Sequence, residues 1–520
     1  MTAPIVETTA GRISGVTEAG VHRFLGVPYG ASTTGAARHR PAAPPRWSGT
    51  RDATAFGPTA PQAALTPTQS TMSVVGAVGS AVPPTGEDCL VLNVWTPGLD
   101  DAKRPVMVWL HGGGFTALSG STVNGKNLAA RHDTVLVSLN HRLNLPGFLY
   151  LDEIAPGRYE NSGILGMLDV VAALEWVRDN IATFGGDPSN VTIFGCSGGG
   201  LKVSTLLAMP PARGLFHRAI VQAGPYTQAV RPEIASDIAE RSLDALGITT
   251  DTIERLDEVP IDRLLDAQKT ALAAFQLGSS SGWPLWTVGP VIGGPALPAH
   301  PFEPVAPAVS ADVPLIIGNN KNEGMTAVVG MYASDDEVTD AELERGAVER
   351  HGEKGLALVE LYRRTRPTTP RAELLDALMA SDLMWIDGVR IAERKSAEGP
   401  APVFMYRFDY PSNLLDGRLR SCHSLEVPFV MDVADEAPIA GTSADRVDAA
   451  RVISTAWAAF ARTGDPNYDG LPTWRPYTSI DRSRMLFGVR ANVEPDPTEV
   501  REGIQALGLS FNPPVGEVVR

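Results

Sequence analysis

Residues 191–209, VTIFGCSGGGLKVSTLLAM, predict a strand, a sharp turn and a helix in succession. The stretch begins with a run of β-branched and aromatic residues, which predicts a buried strand, and residues 199–209 predict the helix that follows. Ser197 lies on the sharp turn between them, where strained backbone requires neighbours without bulk, namely Gly195 and Gly199. Its hydroxyl would stand at the carboxyl edge of a sheet, beside a helix N-terminus that favours developing negative charge. Ser197 is therefore a candidate nucleophile; the alternative is a glycine-rich turn with a structural serine.

Apolar runs of strand type alternate with helical stretches along much of the chain. The most regular helical stretch, residues 165–184, separates two of these runs. Strands buried on both faces, with helices between them, indicate an α/β fold with a mostly parallel central sheet. The predicted strands are residues 105–110, 134–140, 191–195, 218–224, 314–320 and 402–408.

The domain organisation is predicted to be simple. No linker rich in proline and glycine marks a second core, so residues 1–520 are predicted to form a single domain. Two mainly helical segments, at about 228–290 and 325–400, are predicted to be insertions packed over the common sheet. Residues 64–84, rich in small residues and proline, predict a long surface loop.

A second sequence of the pattern Gly-x-Ser-x-Gly occurs at residues 278–282, around Ser280. No predicted strand precedes it, and its neighbours have the composition of a loop. The pattern alone is weak evidence for a nucleophile, because glycine is abundant in this chain. Ser280 is therefore not expected to be catalytic.

The sequence HGGGF, residues 111–115, directly follows the predicted strand 105–110. Successive glycines allow several backbone N–H groups to turn toward one point, as an oxyanion hole requires. We predict that the N–H groups of Gly113, Gly114 and Gly198 stabilise a tetrahedral oxyanion. A flexible loop or a phosphate-binding loop is the alternative, but no Lys-Ser or Lys-Thr pair follows these glycines.

A serine hydroxyl needs a general base, and the base needs an acid to orient it. His423 lies in SCHSLEVPFV, a short polar loop that runs into an apolar segment, which is typical of a catalytic histidine. Glu323 follows the predicted strand 314–320 at the carboxyl edge of the sheet and is the candidate acid. The other histidines after Ser197 are predicted to cap, pack or face solvent: His217, His300 and His351.

The composition excludes several classes of function. A net charge of −15 argues against a nucleic-acid surface and against docking on anionic lipid. The first residues lack the pattern of a signal peptide, and no run reaches the roughly 18 apolar residues of a membrane span. The 3 cysteines are too few for a disulfide framework and too scattered for a zinc site. We therefore predict a cytoplasmic protein that needs no metal or cofactor.

Together these motifs resemble those of the type-B carboxylesterases, the bacterial relatives of the cholinesterases. The resemblance covers nearly the whole chain, and Ser197, Glu323 and His423 match the catalytic positions of that family. It implies an α/β-hydrolase fold in which helical insertions lie over the active site. The segments that carry it are residues 4–15, 24–30, 51–62, 86–97, 111–115, 140–149, 184–200, 322–324, 423–430 and 456–467.

The chain departs from the family pattern at several positions. Cys196 stands where the family has a glutamate, and Ala223 where a serine is common, so a buried polar network beside the histidine is expected to be absent. The residue that pairs with Cys89 in secreted relatives is replaced here, which predicts a free thiol. No tryptophan occurs between Gln62 and Cys89, where cholinesterases bind quaternary ammonium, so choline esters are not expected as substrates.

The resemblance and the residues together predict a serine carboxylic-ester hydrolase that works through an acyl-enzyme. The expected substrate is a small to medium, largely apolar or aromatic ester. Aromatic residues that could line its pocket, or belong to the core instead, are Phe275, Trp283 and Trp286. Two alternatives stay open: a catalytically silent interaction protein of the same family, and an acyltransferase that uses the same triad. The natural ester and the oligomeric state are left open as well.

Two cysteines immediately precede the catalytic candidates. Cys196 precedes Ser197 and Cys422 precedes His423, and the serine and histidine side chains must meet at hydrogen-bond distance. The two cysteines are therefore predicted to lie close together, and a disulfide between them is one hypothesis. Two buried free thiols are the alternative, which a reducing cytoplasm favours. Cys196 is not predicted to be the nucleophile, because the turn projects only its central residue.

Overall fold

The computed structural model describes residues 3–64, 83–273 and 287–512. Over these residues the chain forms an eleven-stranded sheet and a separate three-stranded sheet. The strands are β1 (Ile5–Thr8), β2 (Gly11–Ser14), β3 (Val16–Glu18), β4 (Val21–Pro28), β5 (Thr50–Asp52), β6 (Val91–Thr96), β7 (Arg104–Leu110), β8 (Val135–Leu139), β9 (Gly186–Cys196), β10 (Arg218–Gln222), β11 (Leu315–Asn320), β12 (Val403–Phe408), β13 (Ser483–Phe487) and β14 (Ala491–Pro495).

The strand order across the large sheet is β14-β13-β12-β11-β10-β9-β7-β8-β6-β4-β3. Neighbours from β8 through β7 and on to β13 are parallel, whereas the strands at both ends pair antiparallel. β7 is buried along its whole length, as a parallel strand covered on both faces should be. The predicted mostly parallel α/β sheet is confirmed.

Helices connect these strands and cover the sheet. They are α1 (Lys126–His132), α2 (Asn144–Phe148), α3 (Leu165–Asn180), α4 (Gly198–Leu206), α5 (Pro232–Leu246), α6 (Ile261–Ala273), α7 (Met325–Met331), α8 (Asp340–His351), α9 (Glu353–Thr365), α10 (Arg371–Asp376), α11 (Asp382–Glu398), α12 (Glu426–Val430), α13 (Arg446–Thr463) and α14 (Thr498–Leu507). The helical stretch predicted at 165–184 is α3 followed by a 3-10 turn, Ile181–Phe184.

The predicted strands correspond to β7 through β12, with two differences in length that bear on the site. β9 begins at Gly186, several residues before the predicted start, because Gly186 pairs with Arg104 at the beginning of β7. β10 ends at Gln222, two residues before the predicted end. It ends there because Ala223 adopts a left-handed backbone with φ of 46°.

The two segments predicted as insertions are mainly helical where they are described. Residues 228–290 contain α5 and α6, which share a small apolar cluster that includes Leu243 and Leu264. Residues 325–400 contain α7 to α11. Residues 274–286 lie outside the described part, and with them Ser280, Phe275, Trp283 and Trp286. Most of the predicted surface loop, residues 65–82, also lies outside it.

Neither a membrane-spanning helix nor a cluster of metal ligands occurs among the described residues. None of the helices in residues 3–64, 83–273 and 287–512 combines the length and apolarity that crossing a membrane requires. Within the same ranges, His, Cys, Asp and Glu side chains form no group of three or more that could hold a metal ion.

Candidate active site

Ser197 occupies the turn between β9 and α4, at the carboxyl edge of the sheet. Its backbone has φ of 58° and ψ of −122°, a strained conformation for a residue other than glycine. A Cβ atom on Gly195 would lie 2.5 Å from the carbonyl oxygen of Leu110, and one on Gly199 would overlap the same atom. The predicted need for small neighbours therefore has a direct cause: the end of β7 passes against both glycines.

The neighbouring strand holds the turn from its other side. The backbone N–H of Ser197 donates to the carbonyl oxygen of Gln222, the last residue of β10, at 2.9 Å. A Cβ on Gly224 would overlap the carbonyl oxygen of Ser197. The turn at Ser197 is thus packed between the ends of β7 and β10, and the serine side chain is partly exposed.

The glycines of HGGGF lie directly against this turn. Gly113 and Gly114 have positive φ values of 78° and 60°. A Cβ on Gly198 would overlap the backbone nitrogen of Gly114, so the loop and the start of α4 are in van der Waals contact. The carbonyl oxygen of Gly113 accepts hydrogen bonds from the backbone of Thr116 and Ala117, at 3.2 and 3.0 Å. Because C=O and N–H point in opposite directions across a trans peptide, this turn directs the N–H of Gly114 away from itself.

Glu323 lies three residues beyond the end of β11, in the position expected for the acid. Its side chain is fully buried. Oε1 accepts the backbone N–H of Asn320 at 2.5 Å, and the backbone N–H of Glu323 donates to Ser381 Oγ at 2.6 Å. Ser381 Oγ in turn donates to Asp376 Oδ1 at 2.7 Å. The acid is therefore held by both its carboxylate and its backbone.

The imidazole of His423 forms a short hydrogen bond with Glu323, from Nδ1 to Oε2. Two hydrogen bonds join the loops that carry these two residues. The side-chain amide of Asn320 donates to the carbonyl oxygen of Cys422 at 2.5 Å. The backbone N–H of Asn322 donates to the carbonyl oxygen of Ser421 at 3.0 Å. Two residues 100 positions apart in the sequence are thereby brought into direct contact.

The surroundings of His423 raise its pKa. Burial of the imidazole works in the opposite direction, but the negative charges of Glu323 and Glu426 outweigh it and lift the pKa above its ordinary 6.5. The protonated form of the imidazole is therefore stabilised.

Glu426 is a functional neighbour that the sequence analysis missed. Its side chain is fully buried; Oε1 accepts a hydrogen bond from the thiol of Cys196 at 3.3 Å, and Oε2 has no partner among the described residues. Burial, reinforced by the charge of Glu323, raises the pKa of Glu426 to about 7. The signal available was a lone carboxylate in the apolar run LEVPFV, three residues after His423.

The structure corrects two expectations about the cysteines. All three are free and buried, so the hypothesis of a disulfide between Cys196 and Cys422 is wrong for this structure. The thiol of Cys196 is directed instead to Glu426 and to Ser424 Oγ, at 3.3 and 3.5 Å. A polar network beside the histidine is therefore present, although its carboxylate comes from α12 rather than from position 196.

The thiol chemistry agrees with a serine nucleophile. Burial, followed by the charge of Glu426, raises the pKa of Cys196 well above its ordinary 9.0. Burial likewise raises the pKa of Cys89 to about 12. A thiol with a raised pKa is largely protonated at neutral pH, which disfavours Cys196 as a nucleophile.

The other histidines after Ser197 bind backbone groups. His217 accepts the N–H of Val191 at 3.1 Å, and His300 accepts that of Ala229 at 3.2 Å. His351 was predicted to be solvated, but it is partly buried and binds the carbonyl oxygen of Leu378 at 2.9 Å. Within the described part of the chain, none of these three imidazoles forms a hydrogen bond with a carboxylate, as His423 does with Glu323.

Residues 2–505 match the model of the Carboxylesterase family. The chain belongs to that family. A phenmedipham hydrolase of Pseudarthrobacter oxydans is 36% identical over 522 residues, which cover 96% of this chain and 99% of that protein. A para-nitrobenzyl esterase of Bacillus subtilis is 34% identical over 516 residues, which cover 96% of this chain and 97% of that protein.

Solved structures of carboxylesterases have the same fold. A thermophilic PNB esterase superposes with a TM-score of 0.81 at 32% identity, covering 97% of this chain and 100% of that one. A carboxylesterase of Geobacillus stearothermophilus has a TM-score of 0.79 at 35% identity, with 96% and 99% covered. The predicted α/β-hydrolase fold and the predicted family are confirmed, and this carboxylesterase is a carboxylic ester hydrolase of the serine esterase class.

Proposed function

We propose that Ser197, Glu323 and His423 are the catalytic triad of this carboxylesterase and that the reaction passes through an acyl-enzyme. His423 takes the hydroxyl proton of Ser197 while the serine oxygen attacks the ester carbonyl, and the imidazolium then gives that proton to the leaving alcohol. Glu323 keeps the imidazole oriented and stabilises its positive charge. Water then attacks the acyl-enzyme with the same proton transfers and releases the acid.

The oxyanion of each tetrahedral intermediate is bound by the backbone N–H groups of Gly113, Gly114 and Gly198. The contact between the loop and the start of α4 supports this assignment, because it brings donors from both segments beside Ser197. Each such donor contributes about 3–4 kcal/mol to stabilisation of the transition state.

The hydrogen bond between His423 and Glu323 is the observation that carries the proposal. With Nδ1 directed to the carboxylate, Nε2 is the ring nitrogen that can act as the base. A catalytically silent member of the family would have no need of a buried carboxylate that raises the pKa of this imidazole.

The substrate class that we assign is small to medium esters with an apolar or aromatic group. One relative is named for para-nitrobenzyl esters and another for phenmedipham. The net charge of −15 disfavours anionic substrates through long-range repulsion. We also propose that the protein works in the cytoplasm, because free buried thiols suit a reducing compartment.

Covalent labelling tests the nucleophile. A fluorescent alkyl phosphonate should label the wild-type protein and Cys196→Ala but not Ser197→Ala, and kcat of Ser197→Ala should fall by about 10⁵-fold or more. Labelling or turnover by Ser197→Ala would refute the assignment. A wild-type protein without labelling or hydrolysis would instead support the silent alternative.

A substrate panel tests the class. We expect the highest kcat/KM for p-nitrobenzyl esters and for p-nitrophenyl esters of short to medium acyl chains, and a low value for choline esters. A preference for choline esters would contradict the assignment. Addition of a primary alcohol to the same assays separates hydrolysis from acyl transfer, because a transferase would release a new ester in place of the free acid.

A further inference from the structure

Lys202 is a buried lysine on the helix that begins beside the nucleophile. It lies five positions after Ser197 on α4, and its side chain has 0% exposure. Its ammonium donates to the carbonyl oxygen of His111 at 2.8 Å and lies 3.5 Å from that of Gly112. It also stands over the ring of Phe115, 5.8 Å from the centroid. Among the described residues, the hydrogen bonds and the ring contact of this ammonium are therefore with the HGGGF segment.

A lysine in this place lacks the usual compensation for its charge. No Asp or Glu among the described residues forms an ion pair with it, and burial lowers the pKa of Lys202 well below its usual 10.5. Burial of a polar group without a charge partner costs stability, and an apolar side chain of similar size would avoid that cost. A gain other than stability is therefore needed to explain a lysine here.

The peptide geometry of the loop indicates what the lysine contributes, namely the orientation of a backbone N–H group. The carbonyl of Gly112 and the N–H of Gly113 belong to one peptide unit, and in a trans peptide they point in opposite directions. A donor that holds the carbonyl of Gly112 therefore directs the N–H of Gly113 to the other side. The imidazole of His111 also reaches that carbonyl oxygen, at 2.9 Å through Nδ1.

The two predicted loop donors are thus oriented by different means. The N–H of Gly114 is directed by the turn in which the carbonyl of Gly113 accepts from Thr116 and Ala117. The peptide units before it have no such turn and are held by Lys202 and by His111. Since α4 also carries Gly198 at its first position, one rigid helix ties the loop to the nucleophile.

We propose that Lys202 is a positioning residue of the oxyanion hole, which clamps the carbonyls of His111 and Gly112 so that the N–H of Gly113 faces the oxyanion. This inference rests on the proposed function and adds a residue that acts on the hole without touching the substrate. Its role is to make the donor geometry independent of substrate binding, so its loss should affect the transition state and leave the bound ester unaffected.

The test is Lys202→Met, which keeps the length of the side chain and removes the donor. We expect kcat to fall by about 10- to 100-fold with KM within about 3-fold of wild type, and the Tm to stay the same or rise. A trifluoromethyl ketone, which adds to Ser197 and forms a hemiketal oxyanion, should bind more weakly by the factor that kcat/KM loses.

Lys395 provides the matched control. It is also buried, with 1% exposure, and it also donates to two backbone carbonyls, those of Ser310 at 2.5 Å and Ala311 at 3.4 Å. These carbonyls precede β11 at the amino edge of the sheet, away from Ser197. Lys395→Met should therefore keep the wild-type kcat and the wild-type affinity for the ketone.

Three results would overturn the proposal: a wild-type kcat in Lys202→Met, a change in KM alone, or equal losses in the two lysine variants. If Lys202→Met fails to fold, Lys202→Gln provides the test, because its side chain is polar but too short to hold both carbonyls. Lys202→Gln should fold with a reduced kcat, and a wild-type kcat in that variant would overturn the proposal. Failure of the proposed function would look different, since the wild-type protein would then lack esterase activity.

Discussion

The two halves of the candidate site are assembled by different forces. The half that contains Ser197 is local in the sequence and is fixed by close approach of backbone atoms, with Gly195 and Gly199 against Leu110. The half that contains Glu323 and His423 joins loops 100 residues apart through polar contacts. Contact between backbones leaves no room for a Cβ, whereas a polar network depends on each donor and acceptor being present.

The difference determines which residues a sequence can reveal. A glycine forced by a close contact occurs inside a recognisable motif, and so the nucleophile and the oxyanion loop could be located from the pattern. Residues such as Ser381 and Asp376 resemble any polar residues of a helix end. Ser381 lies at the end of a π-helical turn, Ala377–Ser381, a distortion that often marks functional positions.

The largest effect should come from the polar half. Glu323→Gln keeps the size of the side chain but removes the charge that orients and stabilises the imidazolium, so kcat should fall by about 10⁴-fold while the Tm changes little. Steady-state kinetics and thermal unfolding measure both. Glu342→Gln, at a carboxylate on α8 that pairs with Arg345, is the control and should be fully active. A Glu323→Gln enzyme with near-normal kcat would move the acid role to another residue.

Substitutions in the half of the site that contains Ser197 and its glycines should lower the free energy of unfolding. A Cβ on Gly199 would overlap a backbone oxygen that cannot move as a side chain can, so Gly199→Ala should lower the free energy of unfolding by about 3 kcal/mol or more. Gly330→Ala on α7 is the control, because a Cβ there would meet nothing within 4 Å. That variant should gain up to about 1 kcal/mol from helix propensity. Equal stability of the two variants in urea unfolding would remove the steric explanation.

A smaller effect is expected from the residue that supports the acid. Ser381→Ala leaves the backbone N–H of Glu323 without its acceptor, so kcat should fall about 10-fold and the free energy of unfolding by about 1–3 kcal/mol. Ser242→Ala removes another buried hydroxyl, one that donates to Ile238 within α5, and should leave kcat unchanged. If both serine variants lose activity equally, the polar network does not position the acid.

The smallest effect concerns pH. His423 must be neutral to act as the base, so kcat/KM should rise with pH through a titration whose midpoint lies above the ordinary histidine value. Since the charge of Glu426 contributes to that raised pKa, Glu426→Gln should shift the midpoint to lower pH, by less than about one unit. A midpoint that stays in place, or moves to higher pH, would show that Glu426 does not act on the histidine.

The same substitution carries a stability prediction with a definite sign. The pKa of Glu426 is raised from 4.5 to about 7 in the folded chain, so folding favours its protonated form. The folded state therefore loses stability as pH rises through that interval, because the carboxyl ionises in the unfolded chain while the folded chain keeps it protonated. Glu426→Gln should weaken this loss, and unfolding in urea at pH 5 and pH 8 measures the difference.

Residues whose partners come from elsewhere in the chain limited the sequence analysis. Cys196 precedes Ser197 as Cys422 precedes His423, and that symmetry suggested a disulfide; the structure directs the thiol of Cys196 to Glu426. The replacement of a family glutamate by Cys196 suggested that the network was lost, yet a carboxylate from α12 supplies it. Both errors arise because the direction of a side chain depends on which loop packs against it.

The strands of the parallel sheet, the turn at Ser197 and the glycine loop could be predicted from the residues alone, because burial and close backbone contact restrict which residue types can occur there. The sequence also indicated Glu323, which follows a strand at the carboxyl edge of the sheet, and His423, which lies in a short polar loop that runs into an apolar segment. The packing of the folded chain alone shows that Glu426 binds the thiol of Cys196 and that Lys202 reaches the carbonyls of the glycine loop. Those contacts join segments far apart in the chain. Their energies depend on how deeply the groups are buried, which cannot be inferred from the neighbouring residues in the sequence.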